Sequence, residues 1–155
     1  MSTNNHALDQ AQAQYDSIVA MLGAVACDYA SLDELKAAEA ERELEAWESD
    51  SLAELIAQAN GCADEEEARE RIQEDPLSVE VRSDWCCPGD PMQAAEFCIL
   101  LCTGGPAVRI VGELDRGQPT RAWMEYQDWG TPWTRYFGAD SDVLCEYAAH
   151  FYFGE

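Results

Sequence analysis

Basic residues are scarce in this 155-residue chain, which has nine lysines and arginines against 31 aspartates and glutamates. The formal net charge is −22, and Lys36 is the single lysine. A protein that binds DNA or RNA directly neutralises phosphates with many basic side chains, so this composition argues strongly against direct nucleic-acid binding. Adhesion to anionic membranes is disfavoured for the same reason. The partner that this charge favours is a basic protein surface.

Long hydrophobic runs are also missing. No stretch approaches the roughly 18 apolar residues of a membrane-spanning helix. Residues 1–5, MSTNN, are uncharged and mostly polar, so we expect no secretory signal here. We therefore expect a cytoplasmic protein whose seven scattered cysteines are reduced thiols. Hydrophobic residues still make up 47% of the chain, enough to bury a core, so disorder of the whole chain is excluded.

Histidine is nearly absent, which limits metal and thiol chemistry. The two histidines are His6 and His150. His150 follows Cys145 by five residues, so on a helix the two side chains lie on different sides, and a cysteine nucleophile there lacks its base. Cys86 and Cys87 are adjacent, which is poor geometry for two ligands on one zinc ion.

Motifs for phosphate and calcium binding are incomplete. Gly104 and Gly105 follow a predicted strand, but the spacing and the lysine of a phosphate-binding loop are missing. The segment 140–142 begins like a calcium loop, without the glycine that its sharp turn requires. The sequence predicts no catalytic residue, no metal site and no cofactor. The abundant carboxylates leave open an enzyme whose acid–base site cannot be identified from sequence.

Helical periodicity governs the first half of the chain. Apolar residues recur at three- and four-residue spacing over 7–30 and predict a first helix with one buried stripe. Two capping-box patterns, Ser31 with Glu34 and Ser51 with Glu54, predict the starts of the second and third helices.

A fourth helical segment completes this half. The pair Asn60-Gly61 is a typical helix stop, so we expect it to end the third helix. Asp64 is the predicted N-cap of the fourth, and Pro76 ends it.

The second half changes to the period of strands. Apolar and polar residues alternate over 77–85, which predicts a strand with one buried face and one wet face. Residues 97–102 are continuously apolar and indicate a central strand covered on both sides. Two further alternating segments, 108–114 and 121–127, predict two more strands. An apolar stripe over 140–153 predicts a final helix.

The predicted fold is therefore α+β. Acidic helices at the N-terminus precede a four-stranded antiparallel sheet, with a C-terminal helix packed on it. We expect residues 1–76 to form the acidic helical region and residues 77–155 the sheet with the last helix, joined in one compact unit.

Aromatic residues cluster in and after the last of these strands. Trp129, Trp133 and several other aromatic rings fall within fifteen residues, with Arg135 among them. Pro132 is predicted to open a capped helical turn. One interpretation is that these rings build the core. The other is a partner-binding patch that includes Trp129, Trp133 and Arg135, because Trp, Tyr and Arg dominate interface hot spots.

The acidic excess concentrates in the predicted second to fourth helices. Carboxylates on successive helical turns repeat about every 5.4 Å, a spacing comparable to that of phosphates along a nucleic-acid strand. We therefore consider two interpretations: a solvated helical surface, or a surface that imitates a nucleic-acid backbone. The acidic residues proposed to bind a partner are Glu39, Glu41, Glu43, Glu45, Glu48, Asp50, Glu54, Asp64, Glu65, Glu66, Glu67, Glu70 and Glu74.

Two segments carry a family resemblance. Residues 98–106, CILLCTGGP, and residues 126–133, YQDWGTPW, are similar to segments of small uncharacterised proteins carried by phages and plasmids. The resemblance covers the C-terminal half and brings no catalytic motif. It implies an acidic inhibitor of the anti-CRISPR or anti-restriction type.

The sequence thus favours a non-enzymatic inhibitor of a bacterial nucleic-acid-processing defence complex. The acidic helices would bind a basic surface of such an effector partly by nucleic-acid mimicry. Two alternatives stay open: a general acidic protein-interaction or structural protein from an acidic proteome, and an enzyme with an unidentified carboxylate site.

Overall fold

The computed structural model describes residues 6–154 and confirms the α+β fold with N-terminal helices. Four helices precede an antiparallel sheet, and one helix follows it. No helix among the described residues is both long enough and apolar enough to cross a membrane. The elements are α1 (His6–Val25), α2 (Tyr29–Glu41), α3 (Ala46–Ala59), α4 (Glu65–Glu74), β1 (Ser78–Ser83), β2 (Ala94–Cys102), β3 (Ala107–Asp115), β4 (Gln118–Gln127), β5 (Thr134–Tyr136) and α5 (Ser141–Ala148).

The sheet is an antiparallel meander of five strands in the order β1-β2-β3-β4-β5, not four. The additional strand is β5, which pairs with the end of β4. The prediction of a helical turn after Pro132 is therefore wrong. Three residues are too few to show a strand period, and only pairing with β4 defines this strand.

One face of the sheet holds a core. Phe97, Ile99 and Leu101 of β2 point to it, and the intervening residues are half-buried. The second face of this strand, which the sequence predicted to be covered as well, is thus covered only in part. Helix α5 packs against β4, with its Leu144 and Tyr147 fully buried.

Gly112 of β3 lies opposite Phe97 and Ala122 in the strand pairing. A Cβ atom at this position would collide with the Phe97 ring and with the carbonyl oxygen of Arg121. Only glycine fits at this position, because the Phe97 ring lies directly against the backbone of residue 112.

Strand β1 departs from the prediction of one buried face. It lies at the edge of the sheet, and its Val79 and Val81 are 37% and 46% exposed. The alternation of apolar and polar residues is real, but an edge strand has a neighbour on one side only, so its apolar face is incompletely covered.

Two predicted helix starts are wrong because other residues cap the helices. Helix α2 begins at Tyr29, since the carboxylate of Asp28 accepts hydrogen bonds from the backbone N–H and the hydroxyl of Ser31 at 3.1 and 2.7 Å. Helix α3 begins at Ala46, six residues before the predicted start at Leu52, and Ser51 lies inside it.

The first helix, predicted over 7–30, ends at Val25, and residues 29 and 30 belong to α2. Two further predictions at helix ends are confirmed. Asn60 ends α3 in the left-handed conformation with φ of 51°. The carboxylate of Asp64 accepts a hydrogen bond from the N–H of Glu67 at 2.8 Å, as expected of the N-cap of α4.

The chain forms two compact units. One contains the described residues up to Ile18 and those from Gln73 onward, and the other is Val19–Ile72. Within the second unit, Leu32 of α2 and Leu52 of α3 form a small core with Cys27 and Ala59. We call Val19–Ile72 the helical unit and the remainder the sheet unit.

Candidate functional site

The helical unit is the more acidic part of the chain per residue. Its 54 residues include fifteen acidic and four basic ones, a net charge of −11. The sheet unit carries sixteen acidic and five basic residues, also a net charge of −11, over 101 residues. The charge density of the helical unit is therefore about twice that of the sheet unit.

Most of the thirteen acidic residues proposed from the sequence are exposed to solvent. Eleven are exposed, Glu67 is half-buried, and Glu48 is buried. Glu74 lies in the sheet unit and the other twelve lie in the helical unit. The exposed ones are Glu39, Glu41, Glu43, Glu45, Asp50, Glu54, Asp64, Glu65, Glu66, Glu70 and Glu74.

Glu48 is held in place by a local network. Its two carboxylate oxygens accept hydrogen bonds from the Arg42 guanidinium at 2.9 and 2.8 Å, and one of them also accepts the backbone N–H of Glu45 at 3.1 Å. The Arg42 guanidinium is the main cause that lowers the pKa of Glu48 to about 2. Because its charge is paired and its side chain enclosed, Glu48 serves the start of α3.

Helix α4 also pairs its arginines with its own carboxylates. Arg69 lies 2.6 Å from Glu65, and Arg71 lies 3.2 Å from Glu67, both one helical turn apart. Arg71 additionally donates to the carbonyl oxygen of Asn60 at 2.7 Å. Together with Arg42, three of the four basic residues of the helical unit are thus engaged by its own carboxylates.

A groove lies between α2 and α3. It has a volume of about 660 Å³, and its lining includes Glu34, Trp47 and Glu54. The indole ring of Trp47 is exposed, with its N–H donating to Glu45 at 2.7 Å. A cationic side chain is attracted both by carboxylates and by the face of an indole, so this groove suits lysine or arginine from a partner.

The sheet unit has a second candidate surface, on the face opposite the core. Strand pairing places Arg109 of β3 next to Glu125 of β4, and Glu125 next to Arg135 of β5. Arg109 and Glu125 form an ion pair at 2.7 Å, and the Arg109 guanidinium stacks 4.0 Å from the centre of the Trp133 ring. We call this the aromatic–arginine face.

Two further aromatic rings extend it. The Arg135 guanidinium lies 5.8 Å from the centre of the Trp123 ring and 5.3 Å from that of Phe137. The structure therefore brings two of the three predicted residues, Trp133 and Arg135, into one cluster. Trp129 lies in the turn after β4, where its backbone N–H donates to the carboxylate of Asp128 at 2.8 Å.

The interpretation that all these rings build the core is wrong for Trp129 and Phe137. Their side chains are 79% and 82% exposed. Trp123 and Trp133 are half-buried, and Tyr136 packs edge-on against Tyr15 with ring centres 6.4 Å apart.

Sequence reasoning missed Trp47, Arg109 and Glu125. The alternation over 108–114 already assigned Arg109 to the face away from the core, and the same holds for Glu125 in its strand. Their pairing depends on the register between strands, which a single sequence does not show. Trp47 lies in α3 with an exposed indole, and the groove that it borders forms only when α2 and α3 pack together.

Four of the thiols have pKa values shifted away from nucleophilic chemistry. Burial raises the pKa of Cys27, Cys98, Cys102 and Cys145, which favours the protonated thiol. Cys86 and Cys87 are exposed in the loop after β1. Within the described part of the chain, no three histidine, cysteine or acidic residues converge as a metal site.

Comparisons of this chain with protein-family profiles, with curated proteins and with solved structures find no match.

Proposed function

We propose that the protein is a non-enzymatic inhibitor that binds a basic surface of a nucleic-acid-processing defence complex, of the anti-CRISPR or anti-restriction type. One observation carries the proposal. The helical unit is dense in exposed carboxylates, while three of its four basic residues are paired with its own acids.

Electrostatics supplies the mechanism. Carboxylates on successive turns of α2, α3 and α4 present a series of negative charges at the scale of a nucleic-acid backbone. A basic channel that attracts phosphates would attract this unit too, and long-range attraction would accelerate the encounter. The inhibitor would then occupy the channel in place of DNA or RNA.

The aromatic–arginine face is proposed to add specificity. Trp133 beside Arg109, and Arg135 beside the exposed Phe137, include the residue types that dominate binding hot spots. Such contacts depend on shape, so they would select one effector among the many basic surfaces of a cell.

One observation favours a second candidate, a general acidic interaction protein from an acidic proteome. Half of the net charge lies on the sheet unit, outside the helices that the mimicry proposal requires. A protein adapted to an acidic proteome would carry negative charge over its whole surface for solubility.

A competition experiment separates the two candidates. Purified CRISPR effector and restriction complexes, each bound to a fluorescent DNA duplex, are titrated with the protein, and displacement is followed by anisotropy. We expect displacement from one complex, with an inhibition constant that weakens at least about tenfold between about 50 and 500 mM salt. Displacement that is independent of salt, or the absence of displacement from every complex, would overturn the mimicry.

Matched variants locate the surface. Replacing Glu39, Glu41, Glu54 and Glu70 by glutamine should weaken displacement about tenfold or more, because it removes four exposed charges from the helical unit. The control replaces four exposed acids of the sheet unit, Asp84, Asp90, Asp142 and Glu146, by their amides. Equal losses from both sets would favour the acidic-proteome candidate.

A further inference from the structure

Strand β1 leaves one edge of the sheet available for pairing. It is six residues long and, among the described strands, pairs with β2 alone, so its remaining N–H and C=O groups point away from the sheet. It contains no proline and no lysine, which are common protections of an edge. The opposite edge, β5, has only three residues.

Apolar side chains accompany this edge. Val79 and Val81 are partly exposed on the core side of the strand, opposite Ile99 and Phe97 of β2. Leu77 before the strand and Trp85 after it are 60% and 104% exposed. A partner strand that continued the sheet here would cover them.

The charges of β1 are self-complementary. Glu80 and Arg82 flank Val81 and point to the other face of the sheet, next to Cys98 and Glu96 of β2. In a chain of net charge −22, this strand has one acid and one base and is locally neutral. The strand itself therefore adds no net repulsion between two copies of the chain.

We propose that a second copy of this chain pairs with β1 in an antiparallel register centred on Val81, joining two five-stranded sheets. In this register Val81 lies opposite Val81 of the second copy, and Glu80 lies opposite Arg82 on both sides of the centre. The same register brings Leu77 next to the second copy's Trp85 at each end. Arg82, which is already paired with Glu96, would then lie between two carboxylates.

Neighbouring registers are unfavourable. Centring the pair on Glu80 places two glutamates opposite each other, and centring it on Arg82 places two arginines opposite each other. Like charges directly opposite are destabilising in a sheet. A shift by a single residue would turn the apolar side chains of the second copy to the wrong face. The register centred on Val81 is thus the one that the residues of β1 select for a second copy.

The test measures mass against concentration by analytical ultracentrifugation, at about 0.15 M salt where screening extends over about 8 Å. We expect the wild-type chain to dimerise reversibly as its concentration rises. Glu80→Arg and Arg82→Glu should each weaken dimerisation about tenfold or more, because each places like charges opposite across the seam. Glu146→Arg makes the same charge change as Glu80→Arg, but at an exposed position of α5, and should leave the dimer intact.

Mixing the two variants gives the sharpest result. In a mixed pair, the arginine introduced into one chain faces the glutamate introduced into the other, and the remaining Arg82 faces the remaining Glu80. The mixture should therefore form a heterodimer although neither variant forms its own dimer. Circular dichroism checks that each variant is folded. If Arg82→Glu does not fold, Val81→Glu, which places two carboxylates at the centre, replaces it as the disrupting variant.

Three results would overturn the proposal. They are a wild-type chain that stays monomeric at every concentration, a dimer unaffected by Glu80→Arg or Val81→Glu, and a mixture of folded variants that fails to associate. Because these measurements involve no defence complex, they are independent of the proposed inhibitor function.

Discussion

Glu48 is the acidic side chain that the fold encloses among those proposed to bind a partner, and its surroundings explain why. The Arg42 guanidinium binds both of its oxygens, and the N–H of Glu45 binds one of them. A buried carboxylate needs such partners, since burial without them is strongly unfavourable. The same network fixes where the chain leaves α2 and begins α3.

This network predicts a pH-dependent contribution to stability. The pKa of Glu48 falls from its ordinary value of 4.5 to about 2, chiefly because of Arg42. A carboxyl group with a lowered pKa stabilises the folded state when the pH lies above the ordinary pKa. This stabilisation is lost as the pH falls from about 4.5 to about 2. Glu48→Gln should therefore lower the unfolding temperature at pH 7. The difference in unfolding temperature from wild type should shrink as the pH falls from about 4.5 to about 2.

Thermal melts between pH 7 and pH 2 check this expectation. Glu54→Gln, the same change at an exposed position of α3, is the matched control and should follow the wild-type profile. A difference between wild type and Glu48→Gln that stays constant over the whole range would contradict the assignment.

Helix α4 concentrates acidic side chains and its N-cap at its first turn. Only Ala68 and Ile72 are buried in this ten-residue helix, so packing contributes little. Glu65, Glu66 and Glu67 lie at the N-terminal end, where the helix dipole favours negative charge. The N-cap bond from Asp64 completes this end.

Asp64→Ala should accordingly destabilise the helical unit by about 1 kcal/mol, because the N–H of Glu67 loses its acceptor. Asp64→Asn retains an acceptor and should cost much less. Urea unfolding followed by circular dichroism gives the two free energies. Equal losses for alanine and asparagine would show that the charge of Asp64, rather than its hydrogen bond, stabilises α4.

The elements also show where local patterns fail. Ser31 with Glu34 and Ser51 with Glu54 fit the capping box, yet Asp28 caps α2 and α3 begins at Ala46. Several residues near a helix start can serve as the cap. The local pattern alone does not decide which of them does. Asn60 and Asp64 were predicted correctly because their backbone and side-chain preferences act locally.

At the scale of the whole molecule, charge is the dominant feature. Both units carry a net charge of −11, so each repels itself and the folded chain bears the combined repulsion. Added salt screens these interactions, with a screening length that falls from about 30 Å at 0.01 M to about 3 Å at 1 M.

We therefore expect the unfolding temperature to rise as sodium chloride increases from about 10 to about 500 mM, since screening relieves the repulsion in the folded state more than in the expanded one. Calorimetry at fixed pH measures the unfolding temperature at each salt concentration. The four-glutamine variant of the helical unit is the control and should show a smaller rise. A midpoint that falls with salt would mean that ion pairs such as Arg109–Glu125 outweigh the repulsion.

The sequence by itself determined the α+β class, the helical first half, the antiparallel meander, the C-terminal helix and the acidity. Each follows from composition or from a period of apolar residues, which act within one element. Only the tertiary structure decided that Val79 and Val81 lie at an open edge, that Trp129 and Phe137 are exposed, and that Arg109 meets Glu125 and Trp133. These depend on strand order and register, because contacts between distant residues arise only when the sheet has formed.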